Sequence, residues 1–321
     1  MRIAVTGSIA TDHLMVFPGT FSEQLVADKL DKVSLSFLVD ELEVRRGGVA
    51  ANIAFGLGCL GTAPVLVGSV GADFSDYRAW LAEHGVDTGA VRVSTAKHTA
   101  RFLCTTDAAE NQIASFYAGA MADARHIELA AAGPFDLVVV SPNDPAAMVR
   151  HTEECRELGY PFAADPSQQL ARLDGAQVRG LVTGAEYLFT NEYEAELLLR
   201  TTGWSRNDVL GQVDMWLTTR GADGVEIHRA GAEPQVVAAV PLKDIADPTG
   251  VGDGFRAGFL WGQHAGLSVQ RSAQVGCTLA SVVLETVGSQ TYALDRGDFS
   301  QRVARTYGES AAADIECRLR I

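Results

Sequence analysis

Short apolar runs alternate with amphipathic stretches along the chain. "RIAV" (2–5), "PVLVGSV" (64–70), "DLVVV" (136–140), "YPFAA" (160–164), "EYLFT" (186–190) and "MWLTT" (215–219) are near-continuous apolar runs, the pattern of strands buried on both faces. Between them, residues 74–84, 145–158 and 192–201 carry helical spacing. Strand–helix alternation predicts a parallel sheet covered on both sides. Two further helical patterns, 252–264 and 268–285, are longer and more apolar and are expected against that sheet. "TTRGADGVEI" (218–227) ends a strand in a Gly-rich turn and starts a hairpin, and "AAADIECRLRI" reads as a short peripheral helix.

Two regions break the alternation. Residues 33–46 and 99–118 are β-rich with no helix between strands, and the second reads as two strands joined by the polar turn "DAAENQ". Together they predict a small antiparallel sheet, a lid built from about 14–46 and 99–118. No Pro-, Gly- or Ser-rich linker sets it apart, so the lid is expected as an insertion in one domain spanning 1–321.

Composition narrows the partners. With 40 acidic against 26 basic residues the net charge is −14, which argues against a nucleic-acid footprint and an anionic membrane surface. Five cysteines are scattered without a C-x-x-C pair and read as reduced thiols. The N-terminal apolar run is broken by Thr6, Gly7, Ser8 and Asp12, and no stretch approaches the ~20 apolar residues of a membrane span. A soluble, cytoplasmic protein is expected.

The chemistry-bearing stretches divide into one decoy and four candidates. "GLGCLG" (56–61) matches G-x-G-x-x-G, with Asp73 and Asp76 beyond it, but a helical pattern precedes it and a strand follows. A dinucleotide loop needs the reverse order, so helix-ending glycines explain it better. "ADPTGVGDGFRAGF" (246–259) places Asp253 among glycines at the mouth of a helix. It is either a turn with a favourable first-turn acid or a loop whose Gly250, Val251 and Gly252 N–H groups hold a phosphate, with Asp253 as general base. No Asp or Glu occurs from Gly254 to Leu284, which disfavours a dinucleotide site, and no G-x-x-x-x-G-K-[ST] is present. "RRGGVAANIAFGLG" (45–58) offers Gly48 for close backbone approach and Asn52 as donor and acceptor. Asp12, after the first strand, would lie where open α/β sheets bind ligands, and an acceptor-only carboxylate suits a pair of sugar hydroxyls; a lone Asp there is equally well read as a turn residue. Asn191 and Glu194 share one face of a first helical turn, suited to hydrated Mg²⁺ or phosphate, or to plain capping.

Taken together, "GGVAANIA" near residue 50, "NEYE" at 191–194 and "DPTGVGDGF" at 247–255 resemble, in order and spacing, the two signatures and the N-x-x-E motif of ribokinase-like (pfkB) carbohydrate kinases. The resemblance covers essentially the whole chain. "KVSLSFLVD", "HTARF", "QIASFY", "HTEECR" and "FAADPSQQLARL" are similar to the adenosine-kinase branch of that family found in actinobacteria. Pro248, where many members carry Thr, and Val251, where Ala is commoner, depart from the pattern without altering the loop.

The resemblance implies a doubly wound, mostly parallel sheet of about nine strands, helices on both faces and a β-lid. It implies transfer of the ATP γ-phosphate to the 5′-hydroxyl of adenosine, giving AMP in purine salvage. In that reading the Gly250–Asp253 N–H groups cradle the γ-phosphate and Asp253 takes the hydroxyl proton. Asp12, Gly48 and Asn52 hold ribose, Ser8 lies near the base, and Arg172 clamps phosphate. Phe102 and Phe116 stack adenine, although packing within the lid would account for either ring alone; Gln112, Gln168 and Gln169 offer hydrogen bonds. Thr219, Arg220, Gly221 and Gly224 lie under ATP, Asn191 and Glu194 near its phosphates and Mg²⁺, and Asp247 beside a monovalent cation such as K⁺. A homodimer through the lid is expected. Two rivals stay open: a ribokinase- or fructokinase-type sugar kinase, and a nucleoside-binding sensor without catalysis.

Overall fold

Strands and helices alternate through most of the computed structural model, which describes residues 2–25, 31–32 and 34–320. The strands are β1 Ile3–Thr6, β2 Ala10–Val16, β3 Glu41–Gly47, β4 Val65–Gly71, β5 Val91–Ser94, β6 Ala100–Thr106 and β7 Gln112–Tyr117. They continue with β8 Leu137–Val140, β9 Phe162–Ala164, β10 Tyr187–Asn191, β11 Met215–Thr219, β12 Val225–His228 and β13 Gln235–Val237. The helices are α1 Phe21–Gln24, α2 Val49–Cys59, α3 Ser75–Glu83, α4 Pro145–Leu158, α5 Gly175–Val182, α6 Glu192–Thr202 and α7 Arg206–Leu210. After them come α8 Val251–His264, α9 Val269–Leu284, α10 Arg296–Tyr307 and α11 Glu309–Glu316.

Nine strands form one sheet in the order β13-β12-β11-β10-β9-β8-β1-β4-β5. Seven are parallel, and the hairpin β11-β12-β13 adds two antiparallel strands at one edge. The apolar runs are continuous because alternate residues enter two cores. Ile3, Val5, Leu66, Leu137, Val139, Tyr187, Phe189 and Leu217 pack under α2, α3 and α8–α11; Ala4, Val65, Val138, Val140, Leu188 and Trp216 pack under α4–α7. The C-terminal helix is less peripheral than its sequence suggests, since Ala311, Ala312 and Ile315 join the first core.

The α8–α9 pair is held unusually close by small residues. Gly254, Gly258 and Gly262 repeat every four positions, which places them on one face of α8. A Cβ at Gly258 would lie 2.8 Å from the Gly276 Cα, and one at Gly262 2.6 Å from the Ser272 Cα. This contact fixes the helix whose first turn carries Asp253.

The second sheet has the order β3-β2-β6-β7. It is mixed, not wholly antiparallel, because β2 and β6 run parallel. Its first strand starts at Ala10, earlier than the expected boundary near 14, and residues 34–40 form no strand ahead of β3. Residues 26–30 and Val33 of the expected lid lie outside the described residues. Among the described residues, no helix is long and apolar enough to cross a membrane.

Candidate active site

The parallel strands all present their carboxyl ends to the same side, and the connections that leave those ends carry most of the candidate residues. Ser8 and Asp12 follow β1, Pro142 follows β8, Gln168 and Gln169 follow β9, Asn191 ends β10, and Thr219 ends β11. Two cavities open there. One, of about 500 Å³, is lined by Ser8, Asp12, Gly48, Asn52, Phe102, Phe116, Gln168, Gln169, Arg172, Thr249, Gly250 and Asp253, with Ala10, Val49, Met121 and Pro142. The other, of about 580 Å³, is lined largely by apolar residues with Thr219, Gly221, Gly224, Pro248, Val251 and Gly252. The loop 248–253 is the wall between them.

That loop is a helix start. Gly250 adopts φ +78° and caps α8, and a Cβ there would lie 2.6 Å from Ser289 Cβ, so glycine is required. Val251, Gly252 and Asp253 form the first turn, whose N–H groups have no carbonyl four residues back inside the helix and make an anion-binding end. Asp253 is buried. Burial raises its carboxyl to about 6, against the Arg256 guanidinium and a hydrogen bond from Asn52, with Glu194 pushing it further up.

Asn52 holds the base by a fixed orientation. Its Oδ1 accepts from Ser289 Oγ at 2.9 Å and from Gln290 Nε2 at 2.8 Å, so its Nδ2 must face Asp253, to whose Oδ2 it donates at 2.8 Å. Gln290 also donates to the Tyr77 hydroxyl, which donates to the Gly47 carbonyl. Asn52 therefore orients the Asp253 carboxylate from within the lining of the first cavity. Ser8 is likewise committed, its Oγ accepting the Val49 N–H at 3.0 Å at the start of α2. Gly48 adopts φ +95° where a Cβ would meet Ser8 O at 2.6 Å.

Asp12 stands on β2 at the edge of the same cavity. Its carboxylate lines the cavity and is bonded to no described residue, and a Cβ at Gly47 would lie 2.8 Å from its Oδ2. Burial raises its carboxyl, while Arg45 lowers it and Asp247 raises it. Phe102 and Phe116 face each other across β6 and β7 and line the same cavity. Gln169 donates to the Asn143 carbonyl at 2.8 Å, and Gln168 accepts from Ser167. Arg172 lines the same cavity and makes no ion pair with a described residue. Gln112 is misplaced as a candidate: it pairs with Thr106 at the far end of the hairpin, four residues from Phe116. At ~3.4 Å per residue that is beyond reach of the cavity.

The nucleotide-side candidates divide. Thr219, Gly221 and Gly224 line the second cavity, whereas Arg220 points to Glu192 (3.2 Å) and Glu226 (3.9 Å) on the surface. Asn191 and Glu194 form a reciprocal capping box, each accepting the other's backbone N–H at 2.8 Å. The cap uses Asn191 Oδ1 and Glu194 Oε2, while Glu194 Oε1 accepts from Ser167 Oγ at 3.2 Å; no three His, Cys, Asp or Glu among the described residues converge on a metal position. Asp247 accepts from Thr249 N (2.9 Å), Gly288 N (3.0 Å) and Arg45 (3.0 Å). The Arg45 guanidinium thus pairs with this carboxylate.

Sequence reasoning missed Arg256 and Asp165. They form a buried ion pair at 2.6 Å behind the α8 first turn. One signal was available: Arg256 is the single Lys or Arg in an apolar helix, and no Asp or Glu follows it before Glu285.

The chain belongs to the pfkB family of carbohydrate kinases, whose model matches residues 9–296. It is similar to the nucleoside kinase of Methanothermobacter thermautotrophicus, 28% identical over 313 residues covering 92% of this chain and 97% of that protein. The nucleoside kinase of Burkholderia thailandensis in complex with inosine is 34% identical, covers 96% of this chain and 98% of its own, and superposes with TM-score 0.83. The same enzyme in complex with ADP-inosine gives TM-score 0.82, with 96% of each chain covered. Adenosine kinase from Sinorhizobium meliloti, 19% identical with 90% and 95% coverage and TM-score 0.70, shares the fold.

Proposed function

We propose that this protein is an adenosine kinase: it transfers the γ-phosphoryl group of Mg-ATP to the 5′-hydroxyl of a purine nucleoside, adenosine first among them, giving AMP in a salvage step. The observation that carries this is the pair of cavities divided by the Asp253 turn, with a carboxylate on one side and helix N–H groups at the wall. The nucleoside occupies the cavity of Asp12, Phe102 and Phe116, and ATP the cavity of Thr219, Gly221 and Gly224. Asp253 accepts the O5′ proton as the O5′–P bond forms, and the Pγ–O bond to ADP breaks with its electrons leaving on ADP. The N–H groups of the α8 first turn stabilise charge spread over the transferring group. Asp12 accepts from the ribose hydroxyls. Mg²⁺ arrives on the ATP phosphates as part of the co-substrate.

The Gln168 amide can both donate and accept, as the adenine edge requires. A second reading, a 6-oxopurine nucleoside, draws on the inosine complex of the Burkholderia enzyme and on Arg172, a pure donor. The small sheet acts as a lid, its outer face joins two copies in a homodimer, and free cysteines fit a cytoplasmic location. Product formation from adenosine, inosine and ribose, compared with Mg-ATP, decides among these readings. Exclusive turnover of ribose would make it a sugar kinase, and no turnover a binding protein.

A further inference from the structure

The buried pair behind α8 is larger than a structural ion bridge requires. Arg256 folds back over the residue four positions earlier, as helical side chains do, so that its Nη1 lies 2.7 Å from where a Cβ of Gly252 would be. The guanidinium thus lies directly against the Gly252 backbone in the first turn of α8. Nη2 donates to Asp165 Oδ1 at 2.6 Å, and the guanidinium carbon sits 5.7 Å from the centre of the Phe189 ring. Both partners are buried, Arg256 at 6% exposure and Asp165 at 0%. Burying such a pair is costly, and a well-packed apolar pair of similar volume is often as stable, so stability alone does not explain its presence. Arg256 Nε and Asp165 Oδ2 have no hydrogen-bond partner.

We propose that Arg256, anchored by Asp165, is a positioning residue that keeps Asp253 ionised and adds a fixed positive charge beneath the phosphate-binding turn of α8. The proposal rests on the kinase reading of the cavity for its consequence, but its electrostatic core can be measured without turnover. The groups acting on Asp253 come from every side: Arg256 on its own helix, Glu194 on α6, the neutral Asn52 amide on α2 and Tyr292 after α9. Asp165 lies after β9, and Asp12 and Arg172 line the same cavity. Arg256 is the buried cation in this set. Burial alone would push Asp253 up, and Arg256 is the largest influence in the other direction. Asp165 is itself raised by burial, against Arg256, so its own negative charge only partly offsets the guanidinium.

The test compares Arg256→Gln, Arg256→Lys and Asp165→Asn in the full-length enzyme. Arg256→Gln keeps a hydrogen bond to Asp165 and removes the charge, so the acid limb of the kcat–pH profile moves up by ~1–3 units, the usual effect of one close opposite charge. Activity lost near neutrality returns at higher pH, and Arg256→Lys restores most of the original limb. Asp165→Asn leaves the guanidinium in place, so its limb stays or moves down. A merely structural bridge gives the same loss at all pH for the Gln and Asn variants, and that result overturns the proposal. If Arg256→Gln does not fold, Asp165→Asn decides alone, because an upward limb there refutes it. If the wild type phosphorylates no nucleoside, the kinase reading fails separately, and the ¹³C-carboxyl titration of Asp253 in the same variants replaces kcat. An unshifted titration in Arg256→Gln overturns the proposal in that case.

Discussion

In the proposed reaction Asp253 concentrates the chemistry in one residue, because the same turn would supply a carboxylate for a proton and N–H groups for a phosphate. Asp253→Asn keeps the shape and cannot take the proton, so turnover falls by ~10² or more while nucleoside binding persists. Calorimetric titration with adenosine beside a kcat measurement checks both halves, and turnover within a few-fold of the parent removes the residue from this role. The sign of the wild-type pH dependence follows from the raised carboxyl. The base is ionised above about 6 and protonated below, so kcat declines as pH drops through that value. A flat profile from pH 5 to 8 contradicts it. Asp253, Gly250 and Gly48 were legible because each stands in a short local pattern that a helix start explains. The Asn52 bond to Asp253 was not legible, since its orientation is set by Ser289 and Gln290, more than 200 residues away in sequence. Arg256 and Asp165 meet only after folding, and no local spacing announces a pair 91 residues apart.

At the scale of elements, the legible part was the alternation itself, since a period of apolar residues survives whatever the tertiary contacts are. The small sheet was legible as strands but not in its pairing, because the parallel β2–β6 contact joins segments far apart in sequence. Its register gives a consequence for binding. Phe102 and Phe116 are direct cross-strand partners on the cavity face, so one ring cannot be withdrawn without uncovering the other. Replacing either with Ala raises KM for adenosine by the ~1–3 kcal/mol that base stacking on one ring contributes, and leaves KM for Mg-ATP nearly constant. Initial-rate kinetics with each substrate varied in turn provide the check, and an unchanged adenosine KM in both variants assigns the rings to sheet packing. The α8–α9 contact makes a different prediction. Gly258→Ala forces a methyl against the Gly276 backbone, where no side chain can yield. Overpacking of this kind costs ~1–3 kcal/mol, so the unfolding midpoint drops in thermal denaturation. An unaltered midpoint means that the two helices separate freely.

For the whole molecule, the period of two along each strand divides the small sheet into two unlike faces. Asp12, Phe102 and Phe116 look into the cavity, and the intervening Leu42, Val44, Ile113 and Tyr117 are on the opposite face, each more than 40% exposed. Met15 and Leu103 stand between them on that face by register. Such an exposed apolar patch is uncommon on a monomer, and in the proposed homodimer a second copy of the same sheet covers it. By the same register Arg46, Arg101 and His13 flank this patch on the outer face, so the proposed contact is centred on the apolar residues away from them. The double substitution Leu42→Asp, Val44→Asp places two carboxylates at the centre of each half-interface. Light scattering coupled to size-exclusion chromatography then reads a dimer for the parent and a monomer for the variant. Because the outer face is distinct from the cavity face, the monomeric variant retains the active-site residues, and its adenosine KM reports whether pairing steadies the lid. A parent that elutes as a monomer at tens of micromolar rejects the dimer outright.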